Sequence, residues 1–115
     1  MSKKIFTTKF TYNIASEELK KIMPAVAAKF SQIPGCIWKI WIINEENNEA
    51  GGVYLFESLS ELDQYINSAL FSSVAKNPAF SNLQINSFDV SETASAITGA
   101  PSIQSKFESK TNDQQ

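Results

Sequence analysis

A single charged side chain interrupts the most apolar run of the chain: in Cys36-Ile37-Trp38-Lys39-Ile40-Trp41-Ile42-Ile43 the only ionisable cation is Lys39. An ammonium buried there loses its hydration, so its pKa falls unless a carboxylate or an anionic ligand restores it. Two readings follow. The favoured one is structural, with Lys39 bound to a carboxylate or backbone carbonyls at a subunit contact, because buried charges are usually paired. The functional one places it near Tyr54, facing a cavity, where it meets a ligand that ionises. Competing chemistry is scarce, since the sequence has no histidine and its ten basic residues are all lysine. Ser-His-Asp and Cys-His catalysis, His-ligated zinc and a haem on a proximal imidazole are therefore excluded. So is any bidentate guanidinium clamp on phosphate or carboxylate. Cys36 is the only cysteine, which rules out an internal disulfide and suits a reducing compartment. Glu49, Asp63 and Asp89 are too dispersed to pair as acid and base or to build a metal site. Lys39 and Tyr54 remain the catalytic candidates, and no metal is expected.

These groups must be positioned by one domain, because 115 residues leave no room for a second. With 43% hydrophobic, 19% charged and 11% aromatic residues the chain can bury a core. A net charge of -2 without a basic stripe argues against nucleic acid as a partner. The start Met1-Ser2-Lys3-Lys4 lacks the apolar stretch of a signal peptide, and no run approaches the ~20 apolar residues of a membrane span. The expectation is a cytoplasmic protein without a membrane partner.

Phe6, Phe10 and Tyr12 alternate with polar residues, the period of a strand over 4–13. Ser16 is placed to cap a helix with Leu19, Ile22, Met23, Val26 and Phe30 at helical spacing, ending near residue 32 and containing Pro24. Pro34-Gly35 turns the chain into a β-branched and aromatic strand over 36–43, and 50–56 returns antiparallel to it. Ser58 and Glu61 form a capping box before one amphipathic helix that runs to Asn77-Pro78, and a last strand follows over 83–90. The order βαββαβ is the ferredoxin-like, α+β arrangement: a four-stranded antiparallel sheet with both helices on one face. The domain covers residues 1–100; the polar tail 101–115 is expected to be mobile and dispensable.

Such a sheet leaves its second face open, yet the strand over 36–43 is apolar on both. A second subunit is the natural cover, so a homodimer is expected, with Ile37, Trp41 and Phe56 at the contact. If the loop 45–48 closes the hairpin with Asn44 opposite Glu49, Trp41 lies opposite Gly52, Lys39 opposite Tyr54 and Ile37 opposite Phe56. Trp38, Tyr12, Phe10, Tyr65 and Phe71 then line a cavity between sheet and helices, where a flat aromatic ligand would stack.

The segments Pro34-Gly35-Cys36-Ile37-Trp38-Lys39-Ile40-Trp41 and Glu49-Ala50-Gly51-Gly52-Val53-Tyr54-Leu55-Phe56 resemble the signature of the YdhR-like putative monooxygenases. The resemblance extends from about Phe6 to Val90. It implies a dimeric α/β barrel, akin to the antibiotic-biosynthesis monooxygenases, whose members oxygenate quinol or anthrone substrates without metal or flavin. The polar arginine or histidine side chains of better-understood relatives have no counterpart here, so no catalytic residue carries over from them. The expected function is cofactor-independent monooxygenation of a small aromatic or quinol-like molecule, with dioxygen as the second substrate. The alternative is a non-catalytic dimeric module that binds a small hydrophobic ligand.

Overall fold

The computed structural model describes residues 2–103. Strands β1 (Lys4–Tyr12), β2 (Cys36–Asn44), β3 (Glu49–Phe56) and β4 (Phe80–Asp89) form one antiparallel sheet in the order β2-β3-β1-β4. Helices α1 (Ser16–Phe30), α2 (Leu59–Ile66) and α3 (Ala69–Ala75) pack on one face of it, and a short α4 (Glu92–Ile97) follows β4. This is the ferredoxin-like βαββαβ arrangement, with the second helix in two pieces.

The break in that helix is local. Asn67 ends α2, and the Ser68 hydroxyl accepts from the Phe71 N–H at 3.2 Å, which caps a new helix where one continuous helix was expected. Neither of the other two expected caps acts on a backbone donor. Ser16 is the first residue of α1 and bonds the Tyr12 hydroxyl at 2.6 Å, while the Ser58 hydroxyl bonds the Glu61 carboxylate. Pro24 is accommodated inside α1, which stays continuous to Phe30.

Face assignment follows from β1. Phe6, Thr8, Phe10 and Tyr12 are buried under the helices, and pairing Phe6 with Tyr54 puts Tyr54 and Phe56 on the same face. Pairing Tyr54 with Lys39, and Gly52 with Trp41, then turns Lys39 and Trp41 toward the helices as well. The hairpin register is as the sequence reading had it from Asn44 to Lys39, but a bulge at Ile37 moves the last pair to Cys36 and Phe56. Trp38, one residue before Lys39 and paired with Leu55, lies on the open face by simple alternation, and the bulge brings Cys36, in place of Ile37, opposite Phe56. Three expected placements change accordingly. Trp41 and Phe56 face the helices and not the open face, and Trp38 stands outside the space between sheet and helices.

The open face is partly covered by the chain itself. The Trp38 indole N–H donates to the Pro101 carbonyl at 3.3 Å, and Ile103 is 3% exposed. Ile103 is thus buried and the Pro101 carbonyl is bonded, while Pro101 and Ser102 are otherwise exposed. Residues 104–115 lie outside the described part. Burying an isoleucine is worth about 2 kcal/mol, and in a domain of this size each kcal/mol moves the melting temperature by roughly 4–8 °C. Ile103→Ala should lower it by roughly 10 °C in a thermal melt; an unchanged melt would show that the segment is not docked.

Candidate functional site

The buried core is divided. One cluster gathers Phe6, Phe30, Tyr54, Phe56, Leu62, Tyr65 and Phe71 with Ile33, and the other Phe10, Tyr12, Leu19 and Ala50. Between them lies a cavity of about 160 Å³, walled by members of both, including Phe30, Tyr54, Phe10 and Leu19. The sheet makes room for it because mid-sheet carries a threonine opposite a glycine, Thr8 against Gly52, where its neighbours carry rings. The Thr8 hydroxyl is held in place by the Gly52 N–H, which donates to it at 3.0 Å. On the helix side, α1 buries only Leu19 and Phe30, so Met23 and Val26 between them border the space without filling it. Lys29 and Ser73, both exposed, mark a mouth between α1 and α3.

Lys39 projects into this wall from β2. Its Nζ lies 3.6 Å from the centre of the Trp41 ring, 3.7 Å from that of Phe30 and 4.7 Å from that of Tyr54. The stem passes through the slot left by Gly52, where an added Cβ would come within 2.6 Å of Lys39 Cε. Among the described residues no carboxylate lies within 4.0 Å of the amine, in contrast to Lys3, Lys4, Lys9 and Lys20, each of which has one. The carboxylate partner of the structural reading is thus missing, and the space left by Gly52 belongs to the lysine stem and not to the Trp41 indole.

Electrostatics follow from that geometry. Burial pulls the Lys39 amine down from 10.5 to about 7, opposed by the nearby Cys36 thiol. The three ring faces favour its charged form and oppose the fall too. Burial also pushes the Tyr54 phenol up to about 12 and the Cys36 thiol up to about 11, so both stay protonated at neutral pH. The Tyr54 hydroxyl shares a 2.9 Å hydrogen bond with the Tyr65 hydroxyl, whose pKa burial raises further. Lys39 is the group here whose charge changes near neutrality.

Of the residues singled out in the sequence, the cavity wall includes Lys39, Tyr54 and Phe10. Tyr65 and Phe71 sit in the core cluster behind Tyr54, Tyr12 is buried beside Leu19, and Trp38 is on the opposite face. Missed were Trp41, Phe30, Thr8 and Phe80, the last stacked on Phe10 with ring centres 4.1 Å apart. The pairing of Trp41 with Gly52, both one step from the Lys39–Tyr54 pair, was the available signal for Trp41.

Unfolding returns Lys39 to its ordinary value, so between pH 7 and 10.5 the unfolded chain binds more protons than the folded one. Stability therefore rises with pH across that window, and the desolvation penalty is complete below pH 7. Lys39→Met removes it. The variant should melt at least about 5 °C above the unmodified protein at pH 6, and the gap should shrink as pH approaches 10.5. A gap independent of pH in paired thermal melts would show that the amine is not desolvated.

Comparison with known proteins gives the architecture a context. A protein from Shewanella oneidensis superposes with a TM-score of 0.64 at 10% identity, covering 77% of this chain and 91% of that one. SnoaB, a cofactor-independent oxygenase from Streptomyces nogalater, gives 0.63 at 17% identity over 78% of this chain and 94% of its own. A putative antibiotic biosynthesis monooxygenase from Caulobacter crescentus gives 0.62 at 19% identity, over 77% and 90% respectively. At these identities the likeness is one of fold. No curated protein matches the sequence. The family described as "Putative mono-oxygenase ydhR" does match, over residues 5–101, and by that match this chain belongs to it.

Proposed function

We propose that the protein is a cofactor-independent monooxygenase acting on a single-ring, quinol-like molecule. The observation that carries the reading is Lys39, an amine without a carboxylate partner, on the wall of an apolar cavity. Oxygenation without a cofactor needs a substrate that can lose a proton and pass an electron to dioxygen, so the protein must supply a base, a counter-charge and a dry site. Lys39 supplies the first two in sequence. As a free amine it takes the phenolic proton, and as the resulting ammonium it stays beside the phenolate. The activated ring then reduces dioxygen, forms a carbon–oxygen bond and retains one oxygen atom while the other leaves as water. Volume limits the substrate: about 160 Å³ is close to the ~150 Å³ of a cavity that binds benzene.

The competing reading, a module that binds a small hydrophobic ligand without turning it over, draws support from the lack of any carboxylate in the cavity wall. Oxygen consumption with a panel of single-ring quinols separates the two. The oxygenase consumes oxygen, and Lys39→Met lowers the rate by at least about a hundredfold, the usual worth of a general base. A protein whose melting temperature rises with ligand while oxygen stays constant is the binding module.

We also propose that the open face is covered by a second copy. Ile40, Ile42 and Phe88 are 52%, 39% and 55% exposed there, more apolar surface than a monomer usually leaves to water. Sedimentation at micromolar concentration should give a dimer, and Ile40→Glu a folded monomer. An unmodified protein that sediments as a monomer contradicts the proposal.

A further inference from the structure

We propose that Lys39 is also a nucleophile, whose amine condenses with a small aromatic aldehyde in the cavity to form an imine. The inference rests on the cavity described above and on no part of the oxygen chemistry. Imine formation needs an uncharged amine, a carbonyl held against it, and a site dry enough that water does not reverse the step at once. Each requirement is met by a separate feature. Lys39 has no carboxylate within 4.0 Å among the described residues, so nothing with a negative charge holds it protonated. Its Nζ lies over the rings of Trp41, Phe30 and Tyr54, which exclude water from that side of the amine. Lys39 forms part of the cavity wall, and the cavity's volume of about 160 Å³ admits one aromatic ring with a carbonyl substituent.

Gly52 leaves open the space that the lysine stem occupies, since an added Cβ there would come within 2.6 Å of Lys39 Cε. In the reaction the nitrogen lone pair forms a C–N bond to the carbonyl carbon as the C=O π pair moves to oxygen, which takes a proton from the nitrogen. The carbinolamine then loses its hydroxyl with the second amine proton as water, leaving C=N. No oxidant or reductant is consumed. The phenol of Tyr54, whose hydroxyl is tied to Tyr65, keeps its proton and does not compete as a nucleophile.

The test is reductive trapping with benzaldehyde and cyanoborohydride at pH 7 under nitrogen, followed by digestion and mass spectrometry. The amine of Lys39 should acquire a benzyl group at least about tenfold faster than the exposed lysines. Phenol, which fits the cavity but cannot form an imine, should slow labelling at Lys39 and leave the exposed lysines unaffected. Labelling no faster at Lys39 than at exposed lysines overturns the proposal, and so does labelling that phenol does not slow. Because dioxygen is excluded, the trapping result is independent of oxygen uptake. Trapping without oxygen uptake would defeat the oxygenase reading alone, and uptake without trapping would defeat only the imine.

Discussion

A lysine lodged among aromatic rings, with no carboxylate within 4.0 Å among the described residues, is the constraint around which this fold is arranged. Keeping Lys39 there requires Tyr54 directly opposite in the neighbouring strand, Trp41 two residues on, Phe30 above from α1, and no side chain at Gly52. An apolar side chain at position 39 would give a more stable core, because removing a buried, unpaired charge is favourable. That the chain carries the charge nevertheless is a reason to look for its use in chemistry.

The cavity lies between the two core clusters, which Val74 and Leu83 join, and Lys39 meets it from the side of Phe30 and Tyr54. The partial burial of α1 follows: Leu19 and Phe30 anchor its ends while Met23 and Val26 span the space. On the far side of the sheet nothing polar is demanded. There Leu55 is fully buried, Trp38 is bonded to Pro101, and Ile40, Ile42 and Phe88 remain open.

Much of this was legible in the sequence, for reasons that differ by level. Element order came from periodicity, which is strong in β1 and α1. The hairpin register came from the length of the loop between Asn44 and Glu49, and with it the pairing of Lys39 with Tyr54. Which face of β2 met the helices was not legible from the hairpin, because both faces are apolar; it is fixed by β1, whose alternation propagates through the Phe6–Tyr54 pair. The bulge at Ile37 was invisible for the same reason, since a slip between equally apolar residues leaves no mark on the pattern. Trp38 and Trp41 exchanged roles because of the face assignment alone: Trp41 shares the helix face with Lys39, and Trp38, one residue before Lys39, takes the other. The split after Ile66 and the docking of Ile103 turn on single side chains, Ser68 and Ile103, too local to outweigh the patterns around them.

The central claim is that burial brings the charge change of Lys39 down to near neutral pH, and its own titration tests this most directly. In protein labelled with carbon-13 at lysine Cε, the Lys39 resonance, assigned through Lys39→Met, should titrate with a midpoint near 7, well below the ordinary lysine value of 10.5. A Lys39 midpoint near 10.5 would mean that water or an anion reaches the amine, and would contradict the account.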